Sequence, residues 1–130
     1  MIYMKKILLD TNFLLIPAQF NVDIFAEIHR IMPSTYELYV LDKTIDELTH
    51  LSIDKKQKVN DRRAANLALQ LIVAKKVNIL KSSGNSYVDD LLVNSNGYII
   101  ATQDVILKRR LKAKNIKIIT LRSKKILIFS

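Results

Sequence analysis

The period of the apolar residues changes along the chain, and each change marks an element. Residues 3–10 end in the run Ile7-Leu8-Leu9, the pattern of a strand buried on both faces of a parallel sheet. A loop through Pro17 and Asn21 is expected next. Val22, Phe25, Ile28 and Met32 then recur at helical spacing until Pro33 stops the helix. Residues 36–41 read as a second strand. Asp42 is placed to cap a helix over 43–52, whose apolar stripe is Ile45, Leu48 and Leu51. A basic polar stretch over 54–60 leads to a long helix over 61–76, with Ala64, Ala68, Leu71 and Ile72 on its inner side. Val77 to Leu80 is a short strand, 82–86 a loop, and a helix from about Tyr87 ends near Gly97. A strand over 98–102, a helix over 104–114, a strand over 116–121 and an edge strand over 124–129 complete the chain.

Strands alternating with helices imply right-handed crossovers. The expected fold is α/β: three layers, with a mainly parallel central sheet covered by helices on both faces. One domain spanning 1–130 fits the length, and two glycines and two prolines leave little room for linkers. With no cysteine in the chain, disulfides and thiolate metal sites are excluded. Lys5-Lys6 ahead of Ile7-Leu8-Leu9 imitates a secretory signal, but Asp10 and Asn12 interrupt the apolar run too early. No stretch approaches the roughly 20 apolar residues that cross a bilayer, so a soluble cytoplasmic protein is expected.

Ligand sites in open α/β sheets lie beyond the carboxyl ends of the strands. Asp10 closes the first strand and Asp104 follows the fourth. Asp10 also fits a turn, and Asp104 a helix cap. Between Asp46 and Glu47, Glu47 borders the stripe of its helix and is the one able to turn toward a pocket. Between Asp89 and Asp90, Asp89 lies nearer the buried edge set by Val88, Leu91 and Leu92. A first-turn carboxylate there also satisfies the helix dipole. Together the four carboxylates converge on one sheet edge, where their repulsion calls for cations. All-oxygen ligation suits Mg²⁺ or Mn²⁺, and two such ions roughly 4 Å apart can activate water for in-line phosphodiester hydrolysis.

Charge supports a polyanionic substrate. All 12 acids lie at or before Asp104 with 12 of the 21 Lys and Arg residues, leaving nine positive charges and no acid over 105–130. Such a one-signed segment attracts nucleic acid, although it also solvates a surface. Lys108, Arg109, Arg110 and Lys112 follow Asp104 on one helix, and Arg62 and Arg63 lie near the start of the long helix. Both groups are candidate RNA contacts. Tyr36, Tyr39, Tyr87 and Tyr98 are expected against the core, and neither His29 nor His50 is assigned a catalytic role.

Leu8-Leu9-Asp10-Thr11-Asn12 resembles the opening motif of PIN domains. Asp46-Glu47-Leu48 is similar to the second motif, Val88-Asp89-Asp90-Leu91-Leu92 to the third and Ala101-Thr102-Gln103-Asp104 to the fourth. The motifs occur in order over essentially the whole chain. The resemblance implies an endoribonuclease whose Mg²⁺ or Mn²⁺ is held by Asp10, Glu47, Asp89 and Asp104, with Thr11, Asn12 and Thr102 in support. Residues 17–25 and 104–110 are similar to the branch that includes small-subunit ribosomal RNA processing nucleases. Archaeal relatives there are often labelled VapC-like toxins. This implies RNA as substrate, and as possible partners a second copy, an antitoxin or a ribosome-assembly protein. A non-catalytic RNA-binding assembly module is the rival within the fold. A phosphoacceptor receiver domain needs an acidic pair after the first strand, and an Asp-x-Asp phosphatase needs an acid where Asn12 stands.

Overall fold

A computed structural model of the chain describes residues 4–82, 87–95 and 97–130; the side chain of Asp89 lies outside it, as do 83–86 of the expected loop. The elements are β1 (Lys5–Leu9), α1 (Thr11–Leu14), α2 (Ile16–Phe20), α3 (Ile24–Ile31), β2 (Tyr36–Leu41), α4 (Asp42–Ile53), α5 (Val59–Ala74), β3 (Asn78–Leu80), α6 (Val88–Val93), β4 (Tyr98–Ala101), α7 (Val105–Ala113), β5 (Ile118–Arg122) and β6 (Ile126–Phe129). The strands form one sheet in the order β3-β2-β1-β4-β5-β6. β1 to β5 run parallel, and β6 closes the edge antiparallel to β5.

β1 is a central strand, and its consecutive Ile7, Leu8 and Leu9 are fully buried. Successive side chains of a strand point to opposite faces, so the run feeds two cores. Ile7 and Leu9 pack with Phe13, Ile24, Ile28, Leu48, Ala65 and Ile72 from α1, α3, α4 and α5. Leu8 packs with Leu92, Leu107, Leu111 and Ile118 on the α6–α7 side. The three-layer expectation is met.

Several local expectations are corrected. The loop through Pro17 and Asn21 is instead two short helices. The Asp10 carboxylate caps α1, Pro17 occupies the first turn of α2, and Asn21 ends α2 in the left-handed region at φ 54°. Phe13 and Ile16, both fully buried, hold them down. Asp42 does not precede α4 but opens it, with Leu41 at the cap. α5 starts earlier and stops earlier than expected, and Lys76 follows it at φ 52°. α6 ends at Val93, short of Gly97, because Asn94 caps it. Tyr87 is exposed at 82%, not packed on the core, whereas Tyr36, Tyr39 and Tyr98 are half-buried.

The β6 edge is covered. Leu127 N–H donates to Glu27 Oε1 at 3.0 Å, and Arg30 Nη2 donates to the Leu127 carbonyl at 3.1 Å. Glu27 and Arg30 are themselves paired at 2.7 Å on α3. Among the described residues, no helix is long and apolar enough to cross a membrane.

Candidate active site

The chain leaves β1 toward β2 and β3 on one side, then returns to β4 on the other. The crossovers therefore diverge between β1 and β4, and a crevice opens beyond their carboxyl ends. Asp10 stands at the end of β1 and Thr102 to Asp104 at the end of β4, so the topology brings these residues together.

Asp10 is only 4% exposed. Its N–H donates to the Ala101 carbonyl at 2.9 Å, which fixes its backbone to β4. Oδ1 accepts from Thr11 N–H at 2.8 Å, and Oδ2 accepts from the Thr102 hydroxyl at 2.7 Å. The same hydroxyl oxygen accepts from Asp104 N–H at 3.1 Å. One fully buried hydroxyl thus joins the two carboxylate-bearing residues. Asn12 Oδ1 accepts from Gln103 N–H at 3.1 Å, tying α1 to the same turn. Its 3.4 Å approach to Thr102 Oγ1 is no second hydrogen bond, because the hydroxyl proton is already given to Asp10.

Asp104 caps α7: Oδ1 accepts from Leu107 N–H at 3.0 Å. A carboxylate offers about four lone-pair sites, so capping a helix and facing a cation are compatible.

Glu47 is exposed, as is Asp46. Glu47 nevertheless shares an open cavity of about 340 Å³ with Thr11, His50, Leu51, Asp54 and Gln57, and Asp46 does not. Thr11 is held to α4 through its hydroxyl, which donates to Thr44 Oγ1 at 3.3 Å; Thr44 is fully buried. Glu47 therefore stands on the rim beside Thr11, the residue that follows Asp10. Asp89 belongs to the first turn of α6, and its side chain lies outside the described residues. Its neighbour Asp90 is paired with Arg110 at 2.8 Å.

Among the described residues no three His, Cys, Asp or Glu side chains gather closely enough to hold a metal. The donors at the crevice are nonetheless hard oxygens, the chemistry that suits Mg²⁺ or Mn²⁺. Of these oxygens, those of Asp10 are buried, Asp104 is half-buried and Glu47 is exposed.

The expected RNA contacts divide by surroundings. Of these six residues only Arg110 has an ion-pair partner among the described residues, and Arg63, Arg109 and Lys112 are exposed. Lys108 is half-buried and donates to Thr120 Oγ1 at 3.3 Å, and Arg110 is the partner of Asp90. Arg62 is half-buried and Arg63 exposed, and the Arg62 Nε is buried without an acceptor among the described residues.

Four supporting roles were not foreseen. Thr44 and Thr120 are buried hydroxyls, and Thr120 lies in an apolar run, a pattern that could have marked it. Asp42 Oδ1 accepts from the Ser82 hydroxyl at 2.6 Å and from Ser82 N–H at 3.1 Å, anchoring the chain that follows β3. These bonds, the Ser82 hydroxyl foremost, hold the Asp42 carboxyl below its ordinary value. Gln103 carried no signal beyond its place inside a motif.

Comparison with known proteins agrees with this geometry. Residues 7–124 match the family described as PIN like domain. A protein of Methanocaldococcus jannaschii named ribonuclease VapC4 is 32% identical over 126 residues, covering 94% of each chain. The solved structure of the PIN domain endonuclease Utp24 superposes with a TM-score of 0.78 at 22% identity, covering 96% of this chain and 90% of that one. A domain of a functionally unknown Methanocaldococcus jannaschii protein superposes with a TM-score of 0.57 at 14% identity, covering 92% of each.

Proposed function

The chain belongs to the PIN like domain family, and on that premise we propose that it is a divalent-metal-dependent endoribonuclease that hydrolyses RNA phosphodiester bonds. The observation that carries this reading is the Asp10–Thr102–Asp104 connection at the switch point of the sheet.

Asp10 and Asp104 hold the cation, with Glu47 from α4 and Asp89 from α6 completing the set. Mg²⁺ or Mn²⁺ bound there supplies a water of lowered pKa and charge stabilisation at the leaving oxygen. The residues of the chain do the rest. The Thr102 hydroxyl and Thr11 N–H orient the Asp10 carboxylate, and Asn12 holds the turn that bears Asp104. Arg109, Lys112, Arg62 and Arg63, with Lys108 and Arg110 behind them, draw the RNA backbone past a cluster of carboxylates that would otherwise repel it.

Two targets follow. The similarity of residues 17–25 and 104–110 to ribosomal RNA processing nucleases supports a role in that processing. The 32% identical relative named a VapC ribonuclease supports a toxin restrained by an antitoxin. A homodimer would lengthen the basic groove in either case.

The test is cleavage of a structured and a single-stranded RNA with Mn²⁺, Mg²⁺ or EDTA, beside Asp10→Asn. Metal-dependent cleavage that disappears in the variant is expected, with a fall of at least roughly 100-fold for one removed ligand group. RNA binding without cleavage under any metal would leave the assembly module as the better reading. Growth arrest on expression, abolished by Asp10→Asn, would favour the toxin over the processing enzyme.

A further inference from the structure

In the β4–β5 ladder, Ile100 N–H donates to the Lys117 carbonyl and Thr102 N–H to the Ile119 carbonyl. Parallel ladders are evenly spaced, so Leu121 N–H would next meet the Thr102 carbonyl. It does not, because the chain turns away into the crevice at Thr102. Leu121 N–H donates instead to Gln103 Oε1 at 2.7 Å. The side-chain carbonyl of Gln103 takes the place of the missing backbone acceptor.

Gln103 Oε1 accepts a second bond, also at 2.7 Å, from the hydroxyl of Thr120. Thr120 is 5% exposed, and its oxygen in turn accepts from Lys108 Nζ, one turn into α7. The backbone N–H of Gln103 donates to Asn12. The turn that carries Asp104 is therefore fastened on both sides. Asn12 and Asp10 hold it toward β1, and Gln103 holds it toward β5.

We propose that Gln103 is a positioning residue for the metal-binding carboxylates: by substituting for the ladder acceptor of β4, it fixes where Asp104 stands relative to Asp10. The inference rests on the reading of Asp10 and Asp104 as the residues that hold the cation. Removing the Gln103 acceptor releases the β5 side of the turn while the carboxylates themselves are kept. The effect falls on cation binding and on the chemical step, not on RNA affinity.

The experiment compares wild type, Gln103→Met, Gln103→Glu, Thr120→Val and Asp10→Asn. Gln103→Met keeps the length and removes the acceptor; Gln103→Glu keeps an acceptor oxygen. Mn²⁺ binding is measured directly from the paramagnetic resonance of the free ion, and cleavage is measured as kcat and KM across Mn²⁺ concentrations. Gln103→Met is expected to weaken Mn²⁺ binding by roughly 10- to 100-fold, the usual cost of losing an outer partner, with the KM for RNA unchanged at saturating Mn²⁺. Thr120→Val is expected to show a smaller shift in the same direction, and Gln103→Glu to restore binding. A role confined to folding would lower the melting temperature and leave Mn²⁺ binding alone. Unchanged Mn²⁺ binding in both Gln103→Met and Thr120→Val, with Asp10→Asn abolishing it, would overturn the role of Gln103 and leave the metal site standing. Equal binding by wild type and Asp10→Asn would remove the site, and the positioning role with it.

Discussion

The Thr102 hydroxyl has one proton, given at 2.7 Å to Asp10, and an oxygen that takes the N–H of Asp104. Valine has nearly the same shape and suits a strand end, so Thr102→Val removes these two bonds with little change in packing. Leaving a buried acceptor and a donor short of a partner costs about 1–3 kcal/mol. A fall of that size in unfolding free energy is expected, read from the denaturant midpoint, together with loss of cleavage. Thr102→Ser keeps the hydroxyl and should retain most of both. If Thr102→Val cleaved like wild type, the hydroxyl would be a strand-end feature and not part of the site. The sequence made Thr102 visible only through the family motif, since a threonine in Ile-Ile-Ala-Thr is an ordinary strand residue. Gln103 stayed invisible because its role is set by where β4 leaves the sheet, a tertiary event that no periodicity encodes.

Elements were legible where the period ran long enough. The buried strands β1, β4 and β5 and the helices α3, α4, α5 and α7 were anticipated, with apolar spacing marking β1, α3, α4 and α5. The four and five residues of α1 and α2 give no full helical repeat to read. Isolated helices so short are unstable. They persist because the Asp10 cap and buried Phe13 and Ile16 hold them. The protection of β6 was equally hidden, since Glu27 and Leu127 lie far apart in sequence. An edge strand with open backbone groups invites pairing with another chain, and the Glu27–Arg30 pair occupies those groups at Leu127. The Arg30 side chain, followed by the Leu127 N–H, lowers the Glu27 carboxyl below its ordinary 4.5. A carboxyl lowered in the folded state adds stability above its unfolded value and loses it as pH falls through the folded one. The melting temperature should therefore drop on acidification below about 4.5, and Glu27→Gln should flatten that part of the curve. Glu27→Ala should also increase self-association in light scattering at neutral pH. A parallel acid limb in wild type and Glu27→Gln would show that other carboxyls govern it.

At the scale of the molecule, net charge says too little about which cations meet RNA. The excess over 105–130 is partly engaged within the fold. Lys108 turns to Thr120, Arg110 to Asp90 and Lys114 to Asn94. Arg109 and Lys112 remain exposed on α7. On α5, Arg62 and Arg63 line a concavity of about 240 Å³ with Ser52, Val59 and Asn66. A buried guanidinium N–H without an acceptor is costly unless a partner arrives, and a phosphate oxygen is a strong acceptor for it. The Arg62 Nε is such a group among the described residues, so Arg62 should contribute more to RNA binding than Arg63 beside it. The measurement is the affinity of Asp10→Asn protein for single-stranded RNA as a function of KCl, with arginine substitutions added. Removing one lysine or arginine that neutralises a phosphate should reduce the logarithmic salt slope by about 0.7. Arg62→Ala and Arg109→Ala should each do so, with Arg62→Ala also weakening binding more than Arg63→Ala. Arg110→Ala should change the slope less, because its charge is already countered by Asp90. Equal slopes for all four variants would mean that the basic surface acts as a diffuse field and that neither helix seats a particular phosphate.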